Sequence, residues 1–336
     1  MLEQKGFTLV LFSALVLALA MATTAWAQTS PGSIAPMPSP SPTVLPPLPP
    51  MSTDLRKLIV AGATVEKVAG GFVFTEGPVW HPSGQLFFSD LRGNKTYTWN
   101  PKAGATLFPG PNNRANGLAF DPQGRLVYCE HGGRRVSRME KGGHIATVVD
   151  RYQGKRLNSP NDLVITPDGS IYFTDIRHNL PQGEAREIDL SGVYRLRSNG
   201  ELQLIDNEMD SPNGIAFSPD RKTLYVADTR KQQLWAFAVA ADGNASHKRL
   251  FAEWEPGVLN RPDGLKTDVK GNIYVAVVET GVWVFNKNGR HLGVIPVPEK
   301  PANVAFGDAD LRTLYITAST GLYRIRLKNR GWVASK

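Results

Sequence analysis

Short apolar runs separated by turn clusters recur along the chain, and none of them follows helical spacing. The clearest unit spans 157–175, LNSPNDLVITPDGSIYFTD. It opens on a turn at 159–162, enters the apolar run Leu163, Val164 and Ile165, and turns again at Pro167, Asp168 and Gly169. It finishes in a run rich in β-branched and aromatic side chains, Ile171, Tyr172, Phe173 and Thr174, that ends at Asp175. Proline presets φ and glycine tolerates positive φ, so the unit reads as two short strands joined by a hairpin. A polar residue, Asn161, stands at the mouth of the first strand.

The unit repeats. EGPVW (76–80) leads to a turn and LFFSD (86–90), and NGLAF (116–120) leads to LVY (126–128). NGIAF (213–217) leads to LYVAD (224–228), and DGLKT (263–267) leads to IYV (273–275). The last copy, NVAF (303–306) followed by LYIT (314–317), is one residue shorter between its Asn and its Phe. Six copies at a spacing of roughly 40 to 50 residues predict an all-β fold, a six-bladed β-propeller, in which each small sheet buries its faces against its neighbours. A strand-like stretch at 61–74 precedes the first copy, and the last ends in GLYRIRL (321–327). Pairing 63–68 with this last blade would close the ring and remove an open edge.

The flanks read differently. Residues 7–20 are almost wholly apolar and are followed by AWA at 25–27, the pattern of a secretory signal cleaved after Ala27. Residues 28–57 form a Pro-rich linker without periodicity, and 58–330 form the folded domain. The chain is thus expected to be exported, periplasmic or secreted, with no stable membrane association after cleavage. The formal charge of +8 comes without a Lys/Arg block or a basic helix, which argues against nucleic-acid binding. Cys129, the lone cysteine, sits in an apolar strand and reads as a buried small hydrophobe.

In a propeller the strand mouths converge on one channel. The residues there are Glu76, Asn116, Asn161, Asn213, Asp263, and Ala302 or Asn303. Carboxylate and amide oxygens from separate loops suit a hard divalent cation, and two carboxylates would neutralise one. Asn and Asp also serve as plain turn residues, but Glu76 is a poor one. The chain has no G-x-S-x-G, H-E-x-x-H, Walker loop or paired-Cys motif.

These motifs resemble the SMP-30/gluconolactonase family, the regucalcin-like proteins, over roughly 65–327. TEGPVW (75–80), SPND (159–162), SPNG (211–214) and RPDGL (261–265) carry the likeness, in that order. The resemblance implies a six-bladed propeller with one catalytic divalent metal, held here by Glu76, Asn161, Asn213 and Asp263. Ca²⁺ is the favoured ion, with Zn²⁺, Mg²⁺ or Mn²⁺ as alternatives. It further implies that Arg114 and Asn116, within NRANG (113–117), bind substrate hydroxyls, and that Glu130 or its neighbour His131 adds a contact. Where many gluconolactonase-like members carry an aromatic, Pro-rich loop, this chain has IRHNLP (176–181), which would lie over the channel mouth.

The implied chemistry is metal-assisted hydrolysis of a small-molecule lactone, with Asp263 as ligand and general base. Two other readings are a phosphotriesterase-like hydrolase on the same cup and a non-catalytic binding propeller. His131, more than His178, is the alternative acid/base group.

Overall fold

The computed structural model describes residues 51–110, 113–255 and 257–335. The expected leader and residues 28–50 of the expected linker lie outside the described residues.

Six four-stranded antiparallel sheets form the blades. Their innermost strands are Thr75–His81, Ala115–Phe120, Pro160–Ile165, Pro212–Phe217, Pro262–Thr267 and Pro301–Gly307. Each innermost strand packs against those of both neighbouring blades, and that of blade 1 packs against that of blade 6, so the ring is complete. Second strands such as Ile171–Asp175 and Leu126–Glu130 are buried along their whole length, and the others at all but at most the first position, because a neighbouring blade covers each face. That is why they read as continuous apolar runs, while outer strands such as Leu202–Asp206 and Ala245–Glu253 are half-buried or exposed over most of their length.

The ring closes as the pattern predicts, a few residues later. Glu66–Gly70 pairs antiparallel with Gly321–Arg326, placing Glu66 opposite Arg324 and Gly70 opposite Gly321. Thr75 of blade 1 adds a hydroxyl bond of 3.0 Å to the Gly321 carbonyl of blade 6.

Both domain boundaries need correction. The fold does not begin at 58. Ser52 caps a one-turn helix, Thr53–Arg56, whose Leu55 is 0% exposed among Tyr274, Val282, Val304 and Ile316 of blades 5 and 6. Gly293 makes room for this turn, since a Cβ there would lie 2.5 Å from the Ser52 hydroxyl. Nor does the fold end at 330. Gly331 bridges to Asp268, and the Trp332 N–H bonds the Thr267 carbonyl at 3.0 Å.

One irregularity recurs at the place that matters. Each inner strand pairs with its partner at the residue before the mouth, Thr75 with Asp90 and Pro160 with Asp175 for example, and slips by one residue further on. The same slip occurs in the other four blades. Such a bulge re-aims the side chains it carries, here those at the mouths and the places that follow them. The register also corrects the last repeat. Pro301 aligns with Pro160, Pro212 and Pro262, so Ala302 takes the Glu76/Asn161 position. The copy is not shorter, and Asn303 takes the following place, filled by Gly in four other blades.

Candidate active site

Close approach of the inner strands decides what the mouths can hold. A Cβ on Gly77 would lie 1.9 Å from the Asn116 carbonyl oxygen, and one on Gly264 would lie 2.0 Å from Asn303 Oδ1. Glycine at these places lets neighbouring mouths converge. Hydroxyls on the second strands then tie one blade to the next. Ser89 bonds the Asn116 carbonyl at 2.7 Å, Thr174 that of Asn213 at 2.8 Å, and Thr229 that of Pro262 at 2.8 Å.

The predicted ligands lie at one end of the channel and all are buried: Glu76, Asn161, Asn213 and Asp263, with Asn116 beside them. Burial pushes the Glu76 carboxyl up to about 7, and nearby Asp162 adds to the rise. Burial, then Glu76 and Asp162, push Asp263 well above the usual carboxylate range, while the adjacent Asn213 amide opposes that rise. Neither Glu76 nor Asp263 has an ion-pair partner within 4.0 Å among the described residues.

Hydrogen bonds orient the amides. Nδ2 of Asn116 and Nδ2 of Asn161 lie 3.3 and 3.4 Å from Nε2 of His131. Nδ2 of Asn213 donates to the Thr229 hydroxyl at 3.0 Å. With the NH₂ groups engaged, the amide oxygens are left as acceptors, and Oδ1 of Asn116 and Oδ1 of Asp263 are buried without any donor. Orphaned buried oxygens are costly unless a donor or cation meets them. Among the described residues no three His, Cys, Asp or Glu side chains gather as a metal cluster. The set is instead two carboxylates with amide oxygens, a donor chemistry that fits a hard divalent cation.

His131 is 1% exposed, and burial, then the charge of Arg114, push its pKa down to about 3. Its ring is neutral at ordinary pH. Nε2 accepts from both amides, and Nδ1 is buried without a partner.

Glu130 departs from expectation. It is 0% exposed, and its oxygens are taken by Arg135 Nε (2.8 Å), Asn113 Nδ2 (3.0 Å) and the Ser137 hydroxyl. It is therefore a clamp on the loop that carries Arg114, not a substrate contact. Asp90, Asp175 and Asp228 end the equivalent strands and likewise hold backbone N–H groups of the incoming loops. Arg114 is half-buried with φ at +53°, its N–H held by Asn94 Oδ1 at 2.7 Å. His178 and Arg177, from the 176–181 loop, both bind Asp210 Oδ1, at 3.0 and 3.1 Å. Cys129 is fully buried among Val127, Val136 and Phe173, as its strand position predicts.

Asp162 and Lys266 are site residues that the repeat pattern did not single out, and Asn303, one of the two expected at the last mouth, stands one place beyond it. Asp162 stands where four other blades have Gly. Its Oδ2 lies 3.3 Å from Asn303 Nδ2, and the same Nδ2 lies 3.3 Å from Glu76 Oε2. Lys266 Nζ is 3.7 Å from Asp162 Oδ2.

Fold and site together define a six-bladed propeller with an acid-and-amide cup at one end of its channel. The chain belongs to the SMP-30/Gluconolactonase/LRE-like family, whose sequence profile matches residues 74–320. It is 32% identical to a gluconolactonase of Zymomonas mobilis over 83% of this chain and 86% of that one. It is 30% identical to a pentonolactonase of Haloferax volcanii over 73% of this chain and 81% of that one. A solved structure described as a gluconolactonase of Xanthomonas campestris superposes with a TM-score of 0.78 at 34% identity, covering 86% of this chain and 98% of that one.

Proposed function

We propose that this chain is a hydrolase that opens a sugar-type lactone, with one divalent cation held by Glu76, Asn161, Asn213 and Asp263. The observation that carries this reading is the pair of buried carboxylates, Glu76 and Asp263, set among amide oxygens without a cationic side chain paired to either. The names of the relatives, gluconolactonase and pentonolactonase, support the reaction class. All-oxygen donors drawn from separate loops favour Ca²⁺ over Zn²⁺, Mg²⁺ or Mn²⁺.

The bound ion supplies Lewis-acid polarisation of the lactone carbonyl. Asp263 takes a proton from water as the water oxygen bonds to the carbonyl carbon. The ring C–O bond then breaks, and Asp263 returns the proton to the departing ring oxygen, leaving an open-chain hydroxy acid. Arg114 and Asn116 orient the substrate hydroxyls, which raises the fraction of reactive poses. His131 stays neutral and keeps the two amides turned. The expected leader makes this an exported enzyme, and N-terminal sequencing of the protein from the periplasm or medium checks that reading.

The test is initial rates on a panel of aldonolactones, with chelator and with Ca²⁺, Zn²⁺, Mg²⁺ or Mn²⁺ restored. The reading predicts loss of activity on chelation and its return with the ion. Full activity in chelator, or no turnover of any lactone, contradicts it.

A further inference from the structure

The channel entrance carries charge unevenly. On the side of blades 3 to 5, Arg177 is paired with Asp210 at 3.1 Å and Arg261 with Glu279 at 2.6 Å, which leaves Arg230 as the one arginine of these loops without an ion pair among the described residues. On the side of blades 6, 1 and 2, Arg92, Arg114 and Lys300 form no ion pair among the described residues. The acid next to Lys300, Glu299, is already bound to Lys67 at 2.6 Å.

These cations sit close to the cup by construction. Arg92 follows Asp90 at the end of the second strand of blade 1, and its guanidinium lies over the Phe74 ring, 4.9 Å from the centroid. Phe74 is two residues before Glu76. Arg114 directly precedes the inner strand of blade 2, and Asn94, two residues beyond Arg92, holds its N–H. The Glu130 clamp fixes that loop from behind through Asn113. Lys300 directly precedes the inner strand of blade 6.

Deeper in, the charges balance. Glu76, Asp162 and Asp263 against Lys266 leave a surplus of two negative charges, which one divalent cation cancels. The cations on the rim therefore remain uncompensated when the cup is filled.

We propose that the entrance selects a lactone bearing an anionic substituent remote from the ring carbonyl, a phosphate, sulfonate or carboxylate, held by Arg92 and Arg114. This inference rests on the lactonase reading and narrows it to a substrate class. With the carbonyl in the cup, the far end of a sugar-sized ring reaches the blade 1 and 2 rim. Guanidinium groups suit such anions because their planar fork of donors matches the oxygens.

The experiment compares glucono-1,5-lactone with 6-phosphoglucono-1,5-lactone on the metal-loaded protein, at low salt and in 0.5 M salt. Calorimetry of gluconate and 6-phosphogluconate gives a readout independent of turnover. The expected result is a kcat/KM favouring the phosphorylated lactone by roughly tenfold at low salt, shrinking as salt screens the rim. Arg92→Gln, an exposed loop change, should lower the ratio of phosphorylated to neutral kcat/KM severalfold. Equal or better turnover of the neutral lactone, or a preference untouched by salt and by Arg92→Gln, overturns the proposal. If neither lactone turns over but 6-phosphogluconate binds more tightly than gluconate, the anion site stands and the lactonase reading falls. If no anion preference appears in binding either, both fall.

Discussion

Asp162 of blade 3 and Asn303 of blade 6 meet across the channel, Oδ2 to Nδ2 at 3.3 Å. In a six-membered ring these blades are opposite, so the contact closes the channel beneath the cup. The same amide reaches Glu76, which links this floor to the candidate ligands. Asp162 thus sets charge under the proposed cation site without being one of the predicted ligands. Asp162→Asn keeps the shape and removes the charge. Cation affinity should fall by about tenfold, the scale of one nearby charge in a partly screened interior, with the melting temperature of the metal-free protein held or raised. Calorimetric titration checks this, and unchanged affinity would contradict it.

Cation binding should depend on pH through Glu76. Burial raises its pKa to about 7, and the ion binds the ionised form. Affinity should therefore rise as pH increases from 6 to 8, with proton release measurable by titration in buffers of different ionisation enthalpy. The metal-free protein should behave oppositely. A carboxyl that ionises near 4.3 unfolded and near 7 folded makes folding less favourable as pH rises between those values. Thermal melts of chelated and loaded protein at pH 5 and 8 test both signs.

His131 should act as a holder of amides and not as a base. With its pKa pushed down to about 3, the pH–rate profile at saturating Ca²⁺, where Glu76 ionisation no longer limits the loaded fraction, should show no limb near 6.5 that belongs to His131. His131→Leu frees both Asn116 and Asn161 and should lower kcat and weaken the cation together, by roughly tenfold or more. A profile limb near 6.5 that vanishes in His131→Leu would make the imidazole a base.

Much of this fold was legible because each blade repeats one hairpin, and the acid-and-amide cup was legible because the repeats put polar residues at one place. The rest was hidden for physical reasons. Asp162 and Asn303 stand where four other blades have Gly, but for Asn303 only the strand register shows that the places correspond. Glu130 was expected to contact substrate because the family resemblance places a contact at Glu130 or His131. Its true counterparts, Asp90, Asp175 and Asp228, reveal it as a clamp once the second strands are aligned. His131 has no counterpart in the other repeats, so only the family resemblance pointed to it. The helical turn at Thr53–Arg56 is too short to show periodicity and follows directly on the Pro-rich stretch.

That turn supplies the next prediction. Removal of residues 1–50 should leave the melting temperature unchanged, whereas removal of 1–60 uncovers the pocket that Leu55 fills. Leu55→Ala alone should cost about 2–5 kcal/mol, the usual scale for emptying a leucine site in a packed core. Denaturant melts of the three forms check the boundary, and equal stability of all three would return it to 58.

The central claim is that Asp263 both holds the cation and moves the proton, while Glu76 only holds it. The direct measurement is lactone-opening rate against Ca²⁺ concentration for Asp263→Asn and Glu76→Gln. Glu76→Gln should need more ion but recover much of the wild-type rate. Asp263→Asn should stay down by roughly a hundredfold or more at saturating ion, the scale of a lost general base. Recovery of Asp263→Asn to near wild-type turnover would show that Asp263 is a ligand alone and that the base lies elsewhere.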